Sequence, residues 1–354
     1  MLFFLLGEQH RIFEYLTVRI GFTAVIAFMI TVLLGPWFIK RIKLLQVGQV
    51  IRDDGPERHR EKEGTPTMGG VLMIVGVLIP AFLWANLSVP YVQAILVVLV
   101  LFGAIGFIDD YLKVVRNNPR GVRGPVKFII EAAVVLAITV YLVGFDTGYT
   151  THLSIPFWKE YTAIDLGWVY PLFAVMVIVG AANAVNLTDG LDGLAIAPLI
   201  ICSLTYLLFA YIVGRSDWSS YLLIPYIRNA GEVGIICAAM AGAGLGFLWF
   251  NSYPAQVFMG DVGSLALGGT LGTVAVVTKH ELVLAIAGGL FVIEAVSVIL
   301  QVVGFKLTGK RIFRMAPLHH HFELAGWAEP KVIVRFWILS IIFSVLALGT
   351  LKIR

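Results

Sequence analysis

Apolar positions in this chain do not alternate with polar ones. They run on for about twenty residues at a time, and the charged residues collect between the runs. A bilayer core takes roughly 20 apolar residues per helix. On that rule the pattern predicts ten spans, near 20–39, 68–87, 91–108, 127–145, 168–185, 193–213, 231–250, 262–278, 283–304 and 332–351. Continuous runs also argue against a transmembrane β-barrel, whose strands alternate. The expected fold is all-α, a polytopic integral membrane protein forming one transmembrane domain over 1–354. No repeat, low-complexity tract or soluble domain interrupts it, and its longest loops are too short to fold alone. Glycines crowd the spans at 262–278 and 283–304, permitting close helix packing or a break.

Composition agrees. Of 354 residues, 59% are hydrophobic and 14% charged, whereas a soluble domain carries about a quarter charged residues. The start, MLFFLLGEQH, has no basic segment and no small-residue cleavage site, so it is expected to belong to the mature protein. Cys202 and Cys237 both lie inside apolar runs, and two isolated cysteines make neither a disulfide framework nor a zinc site.

The net charge of +4 says less than its placement. Loops 40–67, 109–127, 186–192, 251–261 and 305–331 alternate onto one side and carry 17 of the 26 Lys and Arg; the other side carries eight, and Arg335 lies within the last span. Basic residues favour the cytoplasmic side. Both termini are therefore expected in the periplasm and the active site at the cytoplasmic face.

Three aspartate clusters fall on that same side: Asp109 with Asp110, Asp189 with Asp192, and Asp261. Carboxylates beside hydrocarbon are read first as functional, and converging ones suit chemistry on a phosphate with a divalent cation. Adjacent aspartates do not share a helix face, so one of Asp109 and Asp110 can meet a metal or substrate while the other turns to a lysine. A helix C-terminus is a poor place for two merely solvated carboxylates. Lys113, Arg116, Arg120, Arg123 and Lys127 follow, suited to lipid or substrate phosphates. In Asn186-Leu187-Thr188-Asp189-Gly190-Leu191-Asp192-Gly193, polar residues recur every three positions; either aspartate could instead cap the next helix. Asp261 reads equally as an N-cap or a metal ligand. Lys62 precedes Gly64-Thr65-Pro66-Thr67-Met68-Gly69-Gly70, a segment able to cradle a phosphate or simply to turn into a helix. Three consecutive imidazoles, His319, His320 and His321, do not readily chelate one ion, which argues against zinc. They suit phosphate or nucleobase binding, or proton transfer. Glu131, Glu294 and Gln301 lie inside spans, where polar groups face protein or a cleft; for Glu131 a structural hydrogen bond is expected.

Taken together, GTPTMGG at 64–70, GFIDD at 106–110, NLTDGLDG at 186–193, FMGDVGS at 258–264 and PLHHHFE at 317–323 resemble the phospho-N-acetylmuramoyl-pentapeptide transferase family, within the polyprenyl-phosphate N-acetylhexosamine-1-phosphate transferases. The aspartate motifs are shared across that superfamily, while GTPTMGG and the histidine stretch are more specific to the muramoyl-pentapeptide branch. The resemblance covers the whole chain in motif order. It implies a bacterial inner-membrane enzyme that moves phospho-N-acetylmuramoyl-pentapeptide from a UDP-linked donor to undecaprenyl phosphate, giving lipid I and UMP. Mg2+ is the implied cofactor, the lipid bilayer and a homodimer the implied surroundings, and nucleic acid is not an expected partner. By motif, Asp261 matches the magnesium ligand, and Asp109, Asp110 and His319 match catalytic positions. Lys62, Thr67, Lys127, Asn186, Asp189, Asp192, Asn251, Ser264, Gln301, His320 and His321 match substrate-binding positions. Two alternatives remain: a related transferase using another UDP-N-acetylhexosamine, and a cation-coupled transporter, whose carboxylates would lie near mid-bilayer in inverted repeats.

Overall fold

The computed structural model describes residues 11–44, 64–114, 116, 121–144, 149–157 and 164–352. The N-terminal ten residues, Lys62 and Arg120 lie outside them. Helices account for every predicted span. They are α1 (Leu16–Leu44), α2 (Gly70–Trp84), α3 (Pro90–Val114), α4 (Gly124–Gly144), α5 (Tyr170–Thr188), α6 (Ile196–Val213), α8 (Val233–Asn251), α9 (Gly260–Val277), α11 (Gly289–Thr308) and α13 (Glu329–Gly349). Short helices α7 (Ser216–Leu222), α10 (Glu281–Ala287) and α12 (Leu318–Leu324) lie between them. A two-residue antiparallel pair, β1 (His152–Leu153) with β2 (Ile164–Asp165), precedes α5. Nine of the helices among the described residues are long and apolar enough to cross a membrane.

Three boundaries differ from the sequence expectation, each for a local reason. Helix α2 has only 15 residues, about 22 Å at 1.5 Å per residue. Its start is tied to a distant loop: Gly69 and Gly70 donate their N–H groups to the carbonyls of Phe258 and Met259, both at 2.8 Å. Helix α3 continues through the aspartate pair to Val114, so Asp109 and Asp110 stand within a helix rather than in a loop. The ninth span divides at Gly288 into α10 and α11, the break that its glycines permit.

Helices α8 and α9 form the core. From Val262 to Val277 every residue of α9 is buried. It packs between α3 and α5, while α8 packs against α1, α2 and α6. Small residues make this possible. A Cβ on Gly268 or Gly272 would meet the Cα of Ala182 or Ile178 on α5, so the backbones approach as close as membrane helices can. Leu33, Ile129, Ile299 and Val345 remain exposed on α1, α4, α11 and α13, as lipid-facing positions should be. The protein is a multi-pass membrane protein.

The helices alternate, so the C-terminal ends of α3, α5 and α8 share one end of the bundle with the N-terminal ends of α4, α9 and α13. At the opposite end Arg19 clasps three elements. Its guanidinium donates to both carboxylate oxygens of Glu232 at 2.6 and 3.0 Å and to the carbonyl of Trp84 at 3.1 Å. Glu232 also accepts the N–H of Asn86 at 2.9 Å. Breaking a buried pair from one side leaves an uncompensated charge, at about 3–5 kcal/mol. Arg19→Ala is therefore expected to lower the thermal unfolding midpoint in detergent far more than the paired replacement Arg19→Met/Glu232→Leu. Equal midpoints for the two variants would contradict this assignment.

Candidate active site

Helix α9 begins at Gly260, whose φ of +73° suits glycine. Asp110 Oδ2 and Thr67 Oγ1 lie directly against its Cα, where a Cβ would go. The N-cap position belongs to Met259, and Asp261 is the second residue of the helix. Its Oδ2 instead receives Lys113 at 3.0 Å and Lys127 at 2.9 Å, and its Oδ1 receives Asn186 at 2.8 Å. The N-cap alternative is thereby settled against. The two ammonium groups come from the end of α3 and the start of α4 and the amide from α5, so one carboxylate joins four helices.

The adjacent aspartates divide as two helix faces require. Asp109 pairs with Lys113 at 2.5 Å and accepts the N–H of Val122 at 2.6 Å, folding the following loop back over the helix end. Asp110 accepts the N–H of Val262 at 3.2 Å in the first turn of α9, where the helix dipole favours negative charge. Asp109, Asp110 and Asp261 each offer an oxygen, and the three oxygens lie within 4.8 Å of one another. That is a hard-oxygen donor set able to hold a divalent cation.

Asn186 also donates to Ser264 at 2.8 Å, and Ser264 to the carbonyl of Gly260 at 3.0 Å, binding α5 to the start of α9. Asp189 closes the C-terminus of α5, and Ala195 holds the N-cap position of α6. Neither Asp189 nor Asp192 caps the next helix. Burial, reinforced by Asp261 and Asp110, pushes the Asp189 carboxyl up to about 8. Asp192 accepts the N–H of Ala255 at 2.9 Å. Asn251 spends its amide on the backbone, donating to Val257 at 2.9 Å and accepting from Gly193 at 3.1 Å. These two residues shape the loops around the site.

The remaining candidates form a neighbouring group. Gln301 accepts the N–H groups of Ile312 and Phe313 at 3.0 and 2.9 Å and donates to the Phe313 carbonyl at 3.0 Å. Each histidine has its own partner: His319 meets Glu294 at 3.3 Å, His320 meets Glu323 at 2.9 Å, and His321 accepts the N–H of Arg314 at 3.1 Å. His319 alone reaches the carboxylate side, its ring lying against Gly190. Glu131 receives Asn183 at 2.9 Å, the structural bond expected of it. Sequence reasoning placed Lys113 only among general phosphate binders. Its position four residues after Asp109, one helical turn along, was the available signal for a closer role.

The sequence model of glycosyl transferase family 4 matches residues 92–279, and the first signature of phospho-N-acetylmuramoyl-pentapeptide-transferase matches residues 62–74. A phospho-N-acetylmuramoyl-pentapeptide-transferase of Syntrophus aciditrophicus is 56% identical over 361 residues, covering all of both chains. The chain belongs to the phospho-N-acetylmuramoyl-pentapeptide transferase family. Transferases of the same description from Citrifermentans bemidjiense and Desulforapulum autotrophicum are 53% and 55% identical, each covering 97% of this chain and 96% of the relative.

Family membership gives the close packing behind the carboxylates a purpose. A Cβ on Gly106 would run into the backbone carbonyl of Asp261, so α3 and α9 meet at the site with no side chain between them. Gly→Ala inside a helix normally gains up to about 1 kcal/mol, whereas overpacking costs about 1–3 kcal/mol. Gly106→Ala is expected to lower both the unfolding midpoint and turnover. An unchanged midpoint with full turnover would show that α3 does not need this approach.

Proposed function

We propose that the chain transfers phospho-N-acetylmuramoyl-pentapeptide from its UDP-linked donor to undecaprenyl phosphate at the cytoplasmic face, with both termini periplasmic. The products are lipid I and UMP. The observation that carries this reading is the meeting of Asp109, Asp110 and Asp261 beside Lys113 and Lys127 at one end of the bundle. A lipid phosphate arrives from the membrane and a charged nucleotide from water, so their reaction belongs where helix ends meet the interface. The transport alternative wants carboxylates at mid-bilayer, and these lie at helix ends.

The three carboxylates fit Mg2+, which prefers a few hard oxygens plus substrate phosphates, with Asp261 as the principal ligand. Bound there, the ion would offset charge on the donor diphosphate. The chain's own residues do the rest. Lys113 and Lys127 draw anionic oxygens toward Asp261. Asp109, already bonded to Lys113, takes any remaining proton from the lipid phosphate, whose second pKa near 6 makes a strong base unnecessary. An oxygen of the lipid phosphate attacks the β-phosphorus of the donor. The bond from that phosphorus to the bridging oxygen breaks, and UMP leaves with that oxygen. Asn186, Ser264, Asp189, Asp192 and Asn251 line the donor side, with Thr67, Lys62, Gln301, His319, His320 and His321 as further contacts. The homodimer implied by the family is checked by the mass of the detergent-solubilised particle.

UMP release by purified protein is the assay. It is expected to need undecaprenyl phosphate and Mg2+, to stop with a chelator, and to return when Mg2+ is restored. Asp261→Asn should lower turnover by about 10²–10³, the scale of removing one electrostatic contact from a reaction centre. Wild-type turnover in that variant, with unchanged Mg2+ dependence, would remove Asp261 from the metal site. UDP-N-acetylglucosamine, tried in place of the muramoyl donor, should give no product; comparable rates would favour the related transferase. Inversion at phosphorus is expected for direct attack, and a trapped aspartyl-phosphate would replace it with a two-step route.

A further inference from the structure

We infer that Glu294 is a positioning residue that fixes the ring of His319 so that its Nε2 is presented to the diphosphate of the donor; the inference rests on the transferase reading above. Glu294 and His319 are both wholly buried. One oxygen of Glu294 accepts the backbone N–H of His319 at 3.2 Å, and the other meets Nδ1 at 3.3 Å. A carboxylate only accepts, so Nδ1 carries the proton in this bond. The opposite nitrogen, Nε2, is buried and has no hydrogen-bond partner among the described residues. Buried polar atoms without partners are uncommon and call for an explanation.

The direction of Nε2 supplies one. A Cβ on Gly190 would strike it, so the ring faces the turn that follows Asp189. Asp189 in turn lies beside Gly260, which leads into Asp261. The ring thus packs on the turn next to Asp189, a carboxylate bordering the start of α9. His320, whose ring centroid is 4.1 Å away, is the other titratable neighbour, and it is engaged with Glu323. A packing role alone would be better served by an apolar residue of similar volume, because a buried acid is expensive to desolvate. A carboxylate on Nδ1–H does what leucine cannot: it holds the ring plane and decides which nitrogen faces the turn. In the doubly protonated ring both nitrogens donate, Nδ1 to Glu294 and Nε2 to an oxygen of the diphosphate as negative charge grows there.

The experiment is a double-mutant cycle on the full-length protein, read as kcat and donor KM from UMP release, with UMP binding and thermal midpoint as checks on folding. Glu294→Gln is expected to lower kcat by about 10–100-fold, the usual effect of losing such an orienting partner, with donor KM unchanged. In a His319→Ala background the same substitution should have no further effect. Gly190→Ala tests the geometry from the other side. It should lower kcat by displacing the ring, and this loss too should vanish when His319 is alanine. Wild-type turnover for Glu294→Gln, or an undiminished loss in the His319→Ala background, overturns the proposal. Wild-type turnover for His319→Ala overturns it as well while leaving the transferase reading intact, which stands or falls with the donor and Asp261 measurements.

Discussion

Charge balance around Asp261 governs this fold at the level where the site is built. A carboxylate so close to the membrane core is stable only if it is compensated, and Asp261 takes its compensation from Lys113 and Lys127 on two other helices. Asn186 from a fourth helix holds its remaining oxygen. The ends of α3, α4, α5 and α9 are therefore registered against one side chain. Three carboxylates crowd against two ammonium groups there, and burial pushes the neighbouring Asp189 carboxyl up to about 8. A divalent cation would offset the mutual repulsion of the three carboxylates. Structural requirement and chemical requirement are met by the same residues.

Glycines where α2 and α3 meet α9 convert that balance into geometry. Where Gly106 meets the backbone of Asp261 and Gly70 meets that of Gly263, no side chain separates the helices, so the oxygens on α3 and α9 come within reach of one ion. Larger residues would widen the helix spacing by an ångström or more, and carboxylates set that far apart bind a small cation poorly. Backbone bonds from Gly69 and Gly70 to Phe258 and Met259 complete the frame. They bring the segment that carries Thr67 beside Asp110, although nearly two hundred residues of chain separate the two strands of that contact.

Much of this was legible in the chain. Each of the ten apolar runs became helix, the ninth broken in two at Gly288, because the length of an apolar run is set locally by the bilayer. The aspartates stood out because carboxylates are rare beside hydrocarbon. What did not show was pairing over distance. Helix α3 runs on through Asp109 and Asp110 because those side chains are satisfied by Val122, Lys113 and Val262, which a hydropathy pattern cannot register. Asn251 and Gln301 also bond nearby backbone through their amides, contacts that composition does not register. Glu294 was visible as an acid inside a span, but its partner lies 25 residues away on a different helix. Lys62, for which the sequence suggested a phosphate contact, falls outside the described residues.

The far end of α9 shows how buried charge differs when it has no chemistry to do. Lys279 sits over the faces of Tyr149 and Tyr170 at 3.6 and 4.0 Å, with Glu281 at 4.0 Å. Burial draws the lysine down to about 7. Tyr170 donates to Glu281 at 2.5 Å, and Tyr149 bonds Val276 at 3.0 Å, closing the group around itself. At this end one cation meets one anion, and aromatic faces spread the charge. At the other end, about 27 Å along an 18-residue helix, carboxylates outnumber cations and their oxygens face one another. Burial is common to both ends. The surplus of carboxylate oxygens at one of them is what separates the candidate site from a structural clasp.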